Sequence, residues 1–220
     1  MIYTSNYETF KDSLLKTCSI SWGKGLELGY TGKSYMDLAP QKSFWRTWKD
    51  NIGKISEEEN NRYYIEQYYD LVLSKLDVEK VYNDLNNSVL LCYEDNNMFC
   101  HRHIVSAWIE LLLGEKVREV KLVNNKLIEV RKPEYIKDYL EEIMKKKIDM
   151  KGYNCLRAVF LYEQAQKFDV QVNNIDVKDS KSKQFCNMYK GYASVLRYQA
   201  YEVEAEYNKK NDIKKRIYQK

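Results

Sequence analysis

Short apolar runs and stretches of helical spacing take turns along the first half of the chain. Residues 1–5 read as a short buried strand, and Tyr7 to Leu15 as an amphipathic helix with Phe10, Leu14 and Leu15 on one side. Cys18 to Trp22 reads as a second strand. Gln41 to Trp48 has helical spacing, and Ser56 to Leu76 predicts a long helix with Tyr64, Ile65, Tyr68, Leu71 and Val72 in register; a shorter helix, Val78 to Leu85, follows. Ser88 to Tyr93 is a near-continuous apolar run of strand length, the pattern of a strand covered on both faces in a parallel sheet. His101 to Leu113 carries Ile104, Val105, Trp108, Leu111 and Leu112 as a helix ended by Gly114. Val117 to Val123 and Lys126 to Arg131 flank Asn124-Asn125, a pair that tolerates the positive φ of a tight turn, and predict a hairpin. This alternation predicts an α/β fold, a Rossmann-like and mostly parallel sheet with flanking helices.

Past Pro133 the character changes. Glu134 to Lys147, Tyr153 to Phe168 and Ser182 to Lys210 are helical patterns, and only Val170-Gln171-Val172 suggests an extended piece. The expected boundary lies at Lys132-Pro133, with an α/β domain over 1–132 and a C-terminal α-helical region over 133–220.

Charge sharpens that division. The net charge of +4 is too small to mark a nucleic-acid binder, but it is unevenly spread. Residues 1–114 hold 12 Lys and Arg against 16 Asp and Glu, and residues 115–220 hold 24 against 16, so the basicity belongs to the C-terminal half. That half also carries many of the 20 tyrosines. Cations mixed with aromatics suit stacking on bases and contact with phosphates, so nucleic acid is one partner to consider. Tyrosines at helical spacing more often pack a core. The five cysteines are odd in number and scattered, which argues against a disulfide framework and for a reducing compartment. No apolar run approaches the roughly 20 residues of a membrane span, and the first residues show no signal pattern. The expectation is a cytoplasmic protein with no membrane partner. The abundance of Tyr, Lys, Asn and Ile is the bias of an AT-rich genome such as a phage's.

Candidate chemistry concentrates in Leu90 to His103, which holds both histidines and two of the five cysteines. Strand, polar loop and helix meet there, and ligands of open α/β sheets bind beyond the carboxyl ends of the strands. Glu94 would leave the strand while Cys100, His101 and Arg102 open the helix, whose free N–H groups favour an anion. A thiol in that position has its pKa depressed. Cys100 is then a nucleophile or redox thiol, His101 an acid or base, Arg102 an anion clamp, and Glu94 an orienting group or base. The bland alternative is a Cys and a His that pack and cap a helix. Cys100-x-x-His103 with Cys92 or Glu94 could also hold a soft metal. Structural zinc wants four converging ligands, and no second Cys-x-x-Cys or His pair exists, so no metal ligand is assigned and the cofactor is left open. Four glycines between Gly23 and Gly32 mark a tightly turning loop. Gly32-Lys33-Ser34 ends like a phosphate loop, but Glu27 stands where that motif needs glycine.

Leu91-Cys92-Tyr93-Glu94 followed by Phe99-Cys100-His101-Arg102 and an apolar helix resembles the signature of the domain-of-unknown-function-488 family. Ile2-Tyr3-Thr4-Ser5, Ile20-Ser21 and Leu38-Ala39-Pro40 add weaker matches, so the resemblance covers about residues 1–123. It implies a compact Rossmann-like domain with Glu94, Cys100, His101 and Arg102 at one site, and Thr4, Ser5 and Ser21 as strand-end candidates for the same crevice. Where many relatives have Arg-Pro after the second strand, this chain has Trp22-Gly23-Lys24-Gly25, and Lys24 is the candidate to replace the charge. The family's association with nucleotide processing leads to the main expectation: a small enzyme acting on a nucleotide or nucleic-acid-derived phosphate ligand. Two rivals stand beside it, a protein that captures a nucleotide or metabolite without turnover, as in phage counter-defence, and a nucleic-acid-binding protein.

Overall fold

The computed structural model describes residues 1–10 and 15–218, with side chains to Asp212. Two compact units divide it, Met1–Lys146 and Lys147–Lys220.

The first unit is an α/β fold around a six-stranded mixed sheet, with strands β1 (Tyr3–Asn6), β2 (Thr17–Ser19), β3 (Lys33–Ser34), β4 (Val89–Cys92), β5 (Arg118–Val123) and β6 (Lys126–Glu129) in the order β3-β2-β4-β1-β5-β6. All neighbouring pairs are parallel except β5 and β6, the predicted hairpin, where Asn124 and Asn125 both take positive φ (50° and 60°). Thr4 of β1 lies beside Leu90 of β4, and Cys18 of β2 flanks Leu90 on the other side. β4 is therefore central, which explains its fully buried run.

Strand parity assigns the two faces. Val89, Leu91 and Val120 pack with Tyr7 and Phe10 of helix α1 (Tyr7–Phe10). The part of the expected first helix over residues 11–14 lies outside the described residues. The opposite parity takes helix α5 (His101–Leu113), whose Arg102 pairs with Glu119, next in sequence to Val120. β1 thus sends its helix to one face and its neighbour β4 to the other. Their carboxyl ends part where a crevice opens in such sheets.

Helices α2 (Lys42–Asn51), α3 (Glu57–Leu71) and α4 (Val78–Asp84) fill the long crossover from β3 to β4. Ser56 caps α3 by accepting from the Glu59 N–H (3.2 Å), and Asp77 caps α4 by accepting from Glu79 and Lys80. α3 stops earlier than the sequence suggested, because Val72 leaves the helical region (φ −125°) and a tighter turn, Leu73–Lys75, follows.

Helix α6 (Tyr135–Lys147) belongs almost wholly to this first unit, beyond the boundary expected at Lys132-Pro133. Polar contacts tie it down: Tyr135 Oη accepts from Asn61, Lys137 pairs with Glu110 (2.9 Å), and Arg62 pairs with Glu142 (2.9 Å) while its guanidinium lies 3.7 Å from the centre of the Tyr139 ring. The helical C-terminal region is the second unit, an antiparallel pair of α7 (Leu156–Asn173) and α8 (Ser180–Tyr218). Val170-Gln171-Val172, expected to be extended, is the last turn of α7. Cys186, Ala193 and Ala200, small residues seven apart, are buried on α8. Phe168 of α7 meets Tyr189 and Tyr192 at 5.8 and 5.5 Å. Tyr198 and Tyr201 are exposed, so these two tyrosines do not pack a core.

No helix among the described residues is long and apolar enough to cross a membrane.

Candidate functional site

A cavity of about 490 Å³ opens beyond the end of β4, within the first unit. Its floor comes from two segments. Cys92 ends β4, and Glu94 follows two residues later; Cys100 sits at the N-cap position of α5 without a side-chain capping bond, and His101 is the first residue of that helix. Asp95 holds the intervening loop by accepting from Asn6 (3.2 Å) and pairing with Lys121 (3.2 Å).

The floor groups interlock. Both thiols donate to the same carboxylate oxygen, Cys100 Sγ to Glu94 Oε2 at 3.0 Å and Cys92 Sγ at 3.2 Å. His101 Nε2 lies 2.8 Å from the Ile20 carbonyl, which can only accept, so Nε2 carries the proton. Nδ1 faces the sulfurs, 3.5 Å from Cys92 and 3.9 Å from Cys100, and in the neutral ring turns its lone pair to them. The His101 ring is backed edge-on by Tyr68, whose hydroxyl donates to the Leu38 carbonyl at 2.5 Å.

Burial governs the charge states here. It pushes the Cys100 thiol well above its ordinary value, the neighbouring Cys92 sulfur adds to the rise, and the Arg102 charge opposes it without prevailing. The depressed thiol expected from the helix N-terminus is therefore not found, because loss of water outweighs the dipole. Burial also acts against the Glu94 carboxylate, yet hydrogen bonds from Cys100 and the His101 charge leave it below its usual value. His101 is raised: burial disfavours the imidazolium, but Cys100 and Glu94 more than compensate.

The walls are aromatic and the rim cationic. Trp22, Trp45, Trp48, Tyr64, Tyr93 and Phe99 line the cavity, with Phe99 set between Trp48 (5.6 Å) and Tyr64 (5.3 Å). Trp48 is fixed by two buried asparagines of α3, donating its Nε1–H to Asn61 and accepting from Asn60 at its carbonyl. Lys42, Arg46 and Lys49, spaced along one face of α2, stand at the cavity and are exposed. Lys42 lies 5.2 Å over the Trp22 ring and Lys49 5.1 Å over Trp48. The glycine loop closes against the sheet here: Gly25 has φ +66°, and a Cβ on it would meet the Tyr7 ring at 2.6 Å. Its N–H donates to Tyr93 Oη. At Gly25 the missing Cβ makes room for an aromatic ring.

The structure brings Cys100, His101 and Glu94 together and adds Cys92. Arg102 faces away, fully buried on the sheet, with Nη2 at 3.0 Å and Nε at 3.2 Å from Glu119 Oε1. A guanidinium so engaged does not reach the cavity, so Arg102 is not placed to clamp an anion there; the cations that line the cavity are those of α2. His103 also turns to Glu119 (3.3 Å), so the pair Cys100-x-x-His103 does not converge. Ser21 lines the cavity, its hydroxyl bonded to Tyr7 Oη. Thr4 and Ser5 are buried within β1, Ser5 donating to the Val120 carbonyl, and neither lines the cavity. Lys24 is exposed on the glycine loop, outside the lining. Sequence reading passed over the rim and walls, although Lys42, Trp45, Arg46 and Lys49 at helical spacing were a visible signal. Comparison of the chain with protein-family models, with curated proteins and with solved structures gives no match.

Proposed function

We propose that the chain is an enzyme acting on a nucleotide or nucleic-acid-derived phosphate ligand, with the base between the aromatic walls, the phosphate at the α2 cations and the floor groups as the reacting centre. The observation that carries this reading is the grading of one cavity from exposed Lys42, Arg46 and Lys49 through Trp22, Trp45 and Trp48 to buried Cys92, Cys100 and His101. Aromatic faces stack any base, and cations recognise its phosphate. The volume is that of an ordinary small-molecule pocket. The resemblance to the domain-of-unknown-function-488 family points the same way, since Cys92, Glu94, Cys100 and His101 of its doubled motif meet at this floor.

A second reading, capture without turnover, is favoured by the Cys100 thiol, which burial keeps protonated and therefore weakly nucleophilic. One experiment separates the two. The full chain is incubated with a panel of nucleosides and nucleotides, binding is followed by tryptophan fluorescence, and the released ligand is analysed by mass spectrometry. Three of the four tryptophans line the cavity, so occupancy changes the emission. Altered ligand supports the enzyme, and bound but unaltered ligand supports capture. Arg46→Ala weakens a nucleotide by about tenfold or more and leaves its nucleoside unaffected. Absence of binding by every member of the panel overturns both readings.

A further inference from the structure

We propose that Cys92 Sγ, Cys100 Sγ, His101 Nδ1 and Glu94 Oε2 form a binding site for a divalent cation of the zinc class at the floor of the cavity. The site stands on its own geometry and does not depend on the ligand assigned above.

The two sulfurs and Nδ1 all lie within 4.8 Å of one another. A tetrahedral zinc with metal–sulfur bonds of about 2.3 Å and metal–nitrogen or metal–oxygen bonds of about 2.0–2.1 Å needs sulfur–nitrogen and sulfur–oxygen edges of about 3.5 Å. The distances from Nδ1 to the sulfurs, 3.5 and 3.9 Å, match that edge in one case and exceed it by a few tenths of an ångström in the other. Those from Glu94 Oε2, 3.2 and 3.0 Å, fall short of it by a few tenths of an ångström, as expected where protons rather than a cation join the groups. The two sulfurs and Nδ1 thus stand near three corners of a tetrahedron, and Glu94 Oε2, bonded to both sulfurs, is the oxygen at hand for the fourth.

The second observation concerns His101. Metal-bound histidines donate their other ring N–H to a carbonyl or carboxylate, which fixes the tautomer and aims the free lone pair. The 2.8 Å contact from Nε2 to the Ile20 carbonyl does this, and the ring is further held by Tyr68. Two thiolates and an imidazole select zinc-like ions over magnesium or calcium, which prefer all-oxygen shells.

Binding forms two metal–sulfur bonds and sends the two thiol protons to solvent, with no change of oxidation state. A bound cation holds both sulfurs as thiolates, so the same groups are thiols without it and metal thiolates with it. Glu94, less buried than Cys92, Cys100 and His101, is the ligand able to yield its position to water or substrate from the cavity.

The test uses the full chain, purified under reducing conditions without chelator. Elemental analysis is expected to find about one zinc per chain, and addition of Co²⁺ to chelator-stripped protein to give the visible bands of tetrahedral cobalt with near-ultraviolet sulfur-to-cobalt charge transfer. Cys92→Ser and Cys100→Ser each lose charge-transfer intensity and His101→Ala shifts the visible bands, whereas Cys186→Ser, in the other unit, keeps both. The cobalt spectrum of the unaltered chain decides the matter even where a variant fails to fold. Failure to bind Co²⁺ or Zn²⁺ at micromolar concentration, an octahedral spectrum without charge transfer, or an intact mass showing a Cys92–Cys100 disulfide that forms in place of metal binding each overturns the site. Metal uptake is read without nucleotide, so a chain that binds metal and no nucleotide refutes only the function proposed above, and the converse refutes only the metal.

Discussion

Glu119→Gln isolates the buried ion pair that holds α5 to the sheet. Arg102 and Glu119 are at most 2% exposed, and Nε and Nη2 of the guanidinium both reach the carboxylate. Neutralising the carboxylate leaves the arginine charge in the core without a counter-ion, a change that costs about 3–5 kcal/mol. The carboxyl's own titration gives a second figure. Burial pushes the Glu119 pKa up, but the hydrogen bond to His103 and the Arg102 charge outweigh it and hold the value to about 2, against an ordinary 4.5. That displacement corresponds to about 3 kcal/mol of stability at neutral pH. Because the folded-state value is the lower one, this stability is complete above pH 4.5 and is lost as pH falls toward 2. Urea titration followed by circular dichroism should therefore place Glu119→Gln about 3 kcal/mol below the parent at pH 7, with a melting temperature roughly 10 °C lower. The gap should close below pH 3. The double variant Arg102→Met/Glu119→Leu removes both charges and should recover most of the loss. It should also bind the cavity's ligand within a factor of two of the parent, since neither side chain reaches it. A Glu119→Gln protein within 1 kcal/mol of the parent at neutral pH would refute the assignment of Arg102 to the core, and loss of ligand binding in the folded double variant would return it to the site.

Three further outcomes follow from other contacts. Gly25→Ala should lose about 2–4 kcal/mol in chemical denaturation, combining positive φ with the approach to the Tyr7 ring, whereas Gly29→Ala, at φ +82° with no atom within 4 Å of a Cβ, should lose only about 1–2. Tyr7→Phe removes a hydroxyl bonded at 2.6 Å to both Ser19 and Ser21 and should lower stability by about 1–2 kcal/mol by the same measurement. Asn125→Gly gives the β5–β6 turn its favoured Asn-Gly pair and should raise the melting temperature slightly, by about 0.5 kcal/mol in stability.

Elements were legible where local sequence carried the cause. α5 runs from His101 to Leu113 as its apolar spacing required, and Gly114 ends it at φ 70°. β4 lies within the apolar run Ser88 to Tyr93, and the Asn-Asn turn formed where expected. What was missed depends on distant partners. β3 is two polar residues that become a strand only by pairing with β2, so no pattern announces it. α6 joins the first unit through Asn61, Arg62 and Glu110, whose partners cannot be read from spacing along α6 itself. Val170 and Val172 are β-branched residues that favour strands in isolation, overridden by the helix that runs through them. The cavity walls were half legible: α2 was expected, but that its cations and tryptophans border the end of β4 is a property of the long crossover.

The Cys100-His101-Arg102 run shows why adjacency misassigned one residue and not the others. Successive residues of a helix point about 100° apart, so a cluster at its start cannot place three consecutive side chains on one target. Cys100, still extended at φ −155°, and His101 reach the cavity, while Arg102 has turned toward the sheet and meets Glu119. Alternation at the end of β4 brings Cys92 and Glu94 to the floor, whereas Tyr93 between them is a wall residue whose ring lies 5.0 Å from that of Tyr7. The two rules together select Cys92, Glu94, Cys100 and His101, two residues from each segment, for the cavity floor and leave Tyr93 and Arg102 off it. Applied to the sequence alone, they would have withdrawn the anion clamp from Arg102. In the nucleotide reading proposed above, phosphate recognition would then fall to α2, whose Lys42, Arg46 and Lys49 border the cavity.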